Sequence, residues 1–522
     1  MFFPLVGLIL STAVLMFSGF KRLRRVPSSG KQTERKAEAN SRILSNLEGR
    51  KYPAKQHALK VKELFLRRKL NSDPSETTFL IAGEQLEAIK YCDQTRPFRQ
   101  NRYFYYLTGT NIAGCYVMFD LGSDTLTLFL PDVNEDDVMW SGLPMSIEAA
   151  YREYDVDNVL YAKDLTTELE KRAAHAIYTT DMDHFPHFSL PNIPFIPADE
   201  DFFYALDEAR VTKDWYEIQL LRRAAEITDN CHLAVMSALP IESNEGHMHA
   251  EFTYHALRQG SKNQGYDPIC CSGTSCSTLH YVKNDESLET KNSVLIDAGA
   301  EWKNYTADVT RCFPINGKFT REHRAIYEAV LDMQSQVMAD IKPGASWEAL
   351  HLKAHRVLIK HFLQLGIFKR AFSQEEIFKR KASLCFFPHG LGHLLGMDTH
   401  DVGGYADYND PDPLLQYLRL RRRLEVGMVV TNEPGIYFNP FLINEYLDKH
   451  PERAEVVDRR IMNKYNYVGG VRIEDDILIT KDGHENLTKV TSDPDEIEAI
   501  VTSGLEKGRS HFHILALPKF NK

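Results

Sequence analysis

The sequence predicts an α/β protein of two domains behind an apolar and then basic N-terminus, and three observations carry that expectation. At 522 residues the chain exceeds the size at which one hydrophobic core usually stops growing. Hydrophobic and aromatic contents of 43% and 11% are globular values. Short runs rich in β-branched residues alternate with segments of helical period, the pattern of strands covered by helices.

The first 20 residues, MFFPLVGLILSTAVLMFSGF, carry no charge and are followed at once by KRLRR. As a helix they would span about 30 Å, one membrane crossing. The positive charge follows the apolar run instead of preceding it, which favours a membrane anchor with the body on the cytosolic side. A cleaved targeting peptide is the alternative. Between Lys21 and Lys69 stand 16 Lys/Arg against 4 Asp/Glu, a local excess of +12 that leaves about −22 for the rest of a chain of net charge −10. Residues 21–70 therefore read as a basic linker, solvated or lying near anionic lipid. The acidic body argues against nucleic acid as a partner. Eight cysteines fit no disulfide or zinc framework, and the adjacent Cys270 and Cys271 would be strained as a bridge. The tripeptides NYT at Asn304 and NLT at Asn486 are sequons of a kind common by chance.

Residues 71–205 read as an N-terminal α/β domain. TTFLIAG, NIAGCYVMFDL and TLTLFLP read as strands, with the turn signal GSD before the last. AKDLTTELEKRAAHAI (162–177) reads as a helix opening after Asp164 or Thr166. Residues 206–500 read as the main domain, leaving 501–522 as a tail. Its first helix is predicted with Thr212 as cap, and another runs from Thr320 to Ile341 before Pro343–Gly344. SVLIDAGAEW, YTADVTRCFPI, GMVVTNEPGIYF and GGVRIEDDILIT read as strands. The segment 405–423 and NEYLDKHPERAEVVDRRIMNK read as loop or helical insertions.

The chemistry gathers at those strands. Asp297 and Asp308 stand 11 residues apart about a polar turn, so an antiparallel hairpin can set their carboxylates side by side. Glu433 and Glu474 lie in two further strands, and FPHGLGHLLGMDTHDVGG supplies His389, His393 and His400. Any one such acid alone is better read as a solvated strand end. Four acids leaving water together are strongly disfavoured unless a cation neutralises them. Four carboxylates and an imidazole are a hard, oxygen-rich donor set that suits Mn²⁺, with Co²⁺ or Zn²⁺ possible, and carries enough charge for two divalent ions.

The motifs IDAGAEWKNYTADVTRCFPINGKFT, PHGLGHLLGMDTHDVGG, TNEPGIYF and GGVRIEDD resemble those of the pita-bread metallopeptidases, in the branch of prolidase and aminopeptidase P. The likeness covers about Val211 to Thr491, and FRQNRYFYYLTG carries it into the N-terminal domain, which would be of the creatinase/prolidase type. It implies Asp297, Asp308, His393, Glu433 and Glu474 as ligands of a dinuclear site, with Asp308 and Glu474 bridging. It implies His280 and His400 beside the scissile carbonyl, Glu433 as proton carrier to a hydroxide between the metals, and His389 as a supporting or structural residue. Arg472 matches an arginine beside the last ligand and Tyr266 a tyrosine near the site, and both are expected to bind substrate. Arg419 falls where prolidases place the arginine that holds a dipeptide's carboxylate, against a simple surface basic run with Arg421 to Arg423. The expected activity is hydrolysis of Xaa-Pro bonds, preferably in dipeptides with C-terminal proline, by a homodimer. The alternatives are an aminopeptidase acting on longer Xaa-Pro peptides, a non-catalytic pita-bread binding module, and a creatinase-like amidinohydrolase.

Overall fold

The computed structural model describes residues 43–508 apart from 173, 184 and 186–193. The apolar run 1–20, expected as a membrane anchor, lies outside the described residues, as does the expected tail beyond 508; residues 501–507 of that tail instead close a helix, Pro494–Lys507, with Val501 and Gly504 buried. Among the described residues no helix is long and apolar enough to cross a membrane. Residues 43–47, within the short first unit, form a helical turn. The unit from Lys51 onward carries everything that follows.

That unit opens with α1 (Ala54–Arg68), a helix inside the stretch expected to be linker. Its basic composition hides an apolar stripe: Ala54, Ala58, Val61 and Phe65 follow helical spacing and are fully buried. The charges sit outside the stripe and find partners, as Lys62 does with Asp124 at 2.5 Å.

The first sheet holds β1 (Thr77–Ala82), β2 (Tyr116–Asp120), β3 (Thr125–Leu130), β4 (Asn158–Tyr161), β5 (Ala176–Thr179) and β6 (Phe195–Pro197), in the order β4-β3-β2-β1-β5-β6. β1, β2 and β3 pair antiparallel; the β3–β4, β1–β5 and β5–β6 pairs are parallel. Central β1 is buried on both faces, which explains its unbroken apolar run. The expected helix over 162–177 is only Leu165–Glu170, after one 3₁₀ turn. Its last residues instead begin β5, where Ile177 and Tyr178, a β-branched and an aromatic residue, pair with Thr78 and Phe79.

After α2 (Glu200–Val211), helix α3 (Trp215–Ala238) starts three residues beyond the expected cap. Asp214 is the cap: its side chain accepts the Glu217 N–H at 2.9 Å while Glu217 bonds back to the Asp214 N–H at 2.8 Å. Thr212 instead receives the Lys60 ammonium at 3.1 Å.

The main domain pairs β7 (Ile269–Ser272), β8 (Ser293–Asp297) and β9 (Thr310–Pro314) in one sheet of order β9-β8-β7. Helices α4 (Arg321–Met338) and α5 (Trp347–Leu365) follow. β10 (Val429–Asn432), β11 (Gly435–Tyr437), α6 (Pro440–Lys449), β12 (Gly470–Arg472), β13 (Asp475–Thr480) and β14 (Gly483–Asn486) complete it, with β10-β13-β14 in a sheet and β11 paired to β12. Each long expected strand is broken in two. At Gly299 the chain leaves β8, and a Cβ there would lie 1.7 Å from the Ala307 carbonyl oxygen, so only glycine permits the crossing. The segment 405–423 contains turns and bends without a helix, whereas 440–462 is mostly helical. One core, including Ile227, Leu295, Val330, Phe362, Val430 and Ile477, packs these sheets against α3, α4 and α5.

Candidate metal centre

Strand register delivers the acids. In the β8–β9 pair Asp297 faces Thr310, and an isolated bridge joins Thr310 to Glu474, between β12 and β13. Period-two alternation then aims Asp308 and Thr310 to one side, with Arg472, Glu474 and Asp476 meeting them. The intervening Arg311 and Asp475 point to the other side, where they pair with each other at 2.7 Å. Gly392 lets the histidine loop lie against β10: a Cβ there would sit 2.1 Å from the Thr431 carbonyl oxygen. The loop is also bridged to the strand at Leu394–Val430, and the Thr431 N–H donates to the His393 carbonyl at 3.0 Å.

The tightest group is Asp308, His393 and Glu474, with one ligand atom each lying within 4.8 Å of the others. Glu433 joins through His393, whose Nε2 is 3.5 Å from Glu433 Oε1 and 3.3 Å from Asp308 Oδ2. Asp297 joins through the Tyr266 hydroxyl, which contacts Oδ1 of both Asp297 and Asp308. All five expected ligands are thus together. Tyr266, expected on the substrate, stands beside the carboxylates.

The electrostatics mark a place for cations. Burial, and then the negative neighbours Asp308 and Asp297, push Glu433 up to about 8, and burial pushes Asp308 up to about 6. Burial followed by the charges of Asp308 and Glu433 raises Glu474 well above the ordinary range, and Asp297 is raised mainly by burial. Arg472 is the single guanidinium among them, bonded to Asp297 Oδ2 at 2.5 Å, Thr310 at 3.0 Å and the Tyr437 hydroxyl at 2.8 Å. Thr310 in turn donates to Glu474 at 2.6 Å. Two details test the fit of a metal. His393 commits Nδ1–H to the Leu394 carbonyl at 2.9 Å, and burial pushes its pKa down to about 4, so a neutral Nε2 lone pair faces two carboxylates. The single Tyr266 proton likewise serves two carboxylates. Lone pairs facing lone pairs call for a cation between them, and the oxygen-rich donors fit a hard divalent ion.

These groups floor a cavity of about 380 Å³, at the small end of ligand pockets. His280, His389, His400 and Arg419 also line it. His400 packs edge-on to His393 with ring centres 4.5 Å apart, and burial pushes its pKa down to about 3. His389 Nε2 meets the Tyr437 hydroxyl at 2.9 Å and its Nδ1 lies 3.8 Å from Glu433. Sequence reasoning missed Thr310 and Asp476, although both lie two residues from an expected ligand. Asp476 accepts the Asp308 N–H at 3.2 Å. It also missed Tyr437, which no spacing signals. A second His–Asp–Glu group, His57 with Asp214 and Glu217, is explained by the cap of α3, whose positive helix end disfavours a cation.

Among known families, residues 219–481 match metallopeptidase family M24, and residues 57–178 match the aminopeptidase P N-terminal domain. An uncharacterized peptidase of Saccharomyces cerevisiae is 59% identical over 91% of this chain and 88% of its own length. A probable Xaa-Pro aminopeptidase of Colletotrichum graminicola is 46% identical over 86% of this chain and 97% of its own. The solved structure of aminopeptidase P from E. coli with the inhibitor Pro-Leu matches with a TM-score of 0.70 at 30% identity, covering 85% of this chain and 99% of that one.

Proposed function

From metallopeptidase family M24, to which this chain belongs in the aminopeptidase P and prolidase branch, we propose that this metallopeptidase releases the N-terminal residue from peptides with proline in second place and at least one residue beyond it. The relatives named as Xaa-Pro aminopeptidases favour this over the dipeptide preference expected from the sequence. The observation that carries the reading is the cluster of four carboxylates and one neutral imidazole around a single arginine, at the floor of a peptide-sized cavity.

Asp297, Asp308, His393, Glu433 and Glu474 would hold the divalent ions, and Mn²⁺ suits their oxygen-rich set. Such ions supply Lewis acidity towards water and a peptide carbonyl. The protein's own groups do the rest. Glu433, at the cavity floor within 3.5 Å of His393 Nε2, is placed to take the proton of the attacking water and pass it to the departing proline nitrogen. His400, kept neutral, can donate to the carbonyl from the cavity wall, with His280 beside it. Arg472 fixes Asp297, and Thr310 fixes Glu474.

A second reading, as a dipeptidase, is favoured by one observation. Arg419 lines the cavity and forms no ion pair among the described residues, its nearest bond being to the Tyr408 hydroxyl at 3.4 Å. It is free to take a substrate carboxylate. The test is hydrolysis by the full-length, Mn²⁺-loaded protein of Ala-Pro-Leu, Ala-Pro and Ala-Ala-Leu. The aminopeptidase reading expects Ala-Pro-Leu to be fastest. Faster Ala-Pro means a dipeptidase, and inertness towards both proline peptides overturns Xaa-Pro hydrolysis. Membrane attachment through residues 1–20 and a homodimer are proposed alongside. Release of the protein by high salt alone, or a monomer in sedimentation, would overturn them.

A further inference from the structure

The floor and the mouth of the cavity differ in chemistry. The floor is charged and buried, whereas at the mouth Tyr408, Tyr417 and Leu442 expose about half their surface, 51%, 54% and 45%. Single exposed apolar residues need no explanation. Several converging on one cavity mouth are a different matter, because their contact with water is relieved only when something covers them.

Helix α6 sets this wall firmly. Pro440 opens it, and the Asn439 side chain caps it by accepting the Leu442 N–H at 3.2 Å. Ile443 and Leu447 are buried and anchor it to the core. Leu442 and Tyr446, one turn apart, therefore present one face to the cavity, and Tyr417 stands near Tyr446. Phe441, 75% exposed on the same helix, does not line the cavity.

An enzyme that removes one N-terminal residue must hold the amino end inside and let the rest of the chain leave through the mouth. We propose that the α6 face formed by Leu442 and Tyr446, with Tyr417 beside it, binds the side chain that follows proline and selects Xaa-Pro-Yaa peptides with an aliphatic or aromatic Yaa. This rests on the Xaa-Pro aminopeptidase reading above.

The experiment compares Ala-Pro-Leu with Ala-Pro-Asn, third residues of similar size and opposite polarity, on the full-length metal-loaded protein. The expected kcat/KM ratio is about tenfold in favour of leucine, carried by KM. Leu442→Asn is expected to bring the ratio down to about twofold or less, whereas Phe441→Asn keeps it. Equal rates on the two peptides in the unaltered protein overturn the inference and leave Xaa-Pro hydrolysis standing. So does a Phe441→Asn variant that loses the preference as fully as Leu442→Asn. Cleavage of neither peptide overturns the aminopeptidase reading and this inference with it.

Discussion

Two buried charge clusters meet at the dipeptide His400–Asp401, and they are built on opposite principles. In the first, Asp401 accepts from Lys213 at 2.8 Å and from Arg210 at 2.6 Å, and Arg210 also pairs with Asp398 at 2.6 Å. Burial alone would raise the Asp401 carboxyl, but Lys213 and Arg210 hold it below the ordinary range. Charges there balance. In the second, on the cavity floor, Asp297, Asp308, Glu433 and Glu474 share one arginine, and all four are raised. Both clusters are removed from water, yet only one is satisfied by the protein itself. The excess negative charge of the other is what a divalent cation would answer, so it reads as function obtained at the expense of stability.

The largest effect expected from that contrast is on activity. Asp308→Asn should lower peptide hydrolysis by on the order of 10³-fold or more, because several kcal/mol of Lewis-acid stabilisation depend on the metals it would hold. The same change should leave the melting temperature of the metal-free protein level or raised, since one of four mutually repelling acids is gone. A drop in that temperature would break the comparison. On the balanced side, Asp401→Asn leaves Lys213 buried without its carboxylate partner and Arg210 with only the more exposed Asp398. It should cost about 3–5 kcal/mol in urea unfolding, with or without Mn²⁺.

The two clusters were not equally legible in the sequence. The four floor acids sit at or beside the ends of short strands, with glycines and a histidine loop around them, so local pattern picked out the acids and the loop, and the family resemblance singled out His393 within it. The clamp on Asp401 joins α2 to a loop nearly two hundred residues later, and no periodicity connects Arg210 with Asp401. Tertiary context also overrode local propensity at the helix of α1, whose apolar stripe was masked by lysines and arginines, and at Ile177 and Tyr178, which were drawn into β5 by pairing with β1. The strands around the site were found but not their breaks at Gly299 and between Asn432 and Gly435, because a close backbone crossing leaves no mark on hydrophobic period.

Proton linkage offers a subtler test. In the metal-free protein, Asp308 and Glu433 are raised to about 6 and about 8, above unfolded values near ~4. Groups raised on folding contribute stability that is complete below the unfolded pKa and lost as pH climbs through the folded one. Around the cavity, the buried His393 is pushed down to about 4, and the half-buried His389 and the more exposed His400 to about 3, each mainly by desolvation. Holding them neutral therefore costs stability only below pH ~6.5, where the unfolded histidines would protonate. Between pH 6.5 and 8.5 the carboxylates alone should act, and the metal-free protein should lose on the order of 1 kcal/mol per pH unit. Saturating Mn²⁺ should flatten the slope. Asp401, lowered and paired, adds none in that window. Thermal melts across the range measure it, and a metal-free protein whose stability rises over this interval would contradict the assignment of excess charge.

The smallest expected effect concerns a neutral hydroxyl that spans two carboxylates of the crowded floor. Tyr266 contacts both Asp297 and Asp308 through its hydroxyl, and burial, with those two charges, holds its own pKa far above the ordinary range. In the metal-free site the hydroxyl is thereby favoured as a donor to both carboxylates. Hydrogen-bond partners of metal ligands typically tune affinity by about 10–100-fold. Tyr266→Phe removes that donor with little loss of packing and should weaken Mn²⁺ binding by such a factor, as read by competition with a chelator. If Tyr266 instead touched substrate, as the family resemblance implied, the same change would raise KM and leave metal affinity untouched. The two outcomes separate a residue that holds the carboxylates in register from one that meets the peptide, and its hydroxyl lies on the carboxylates.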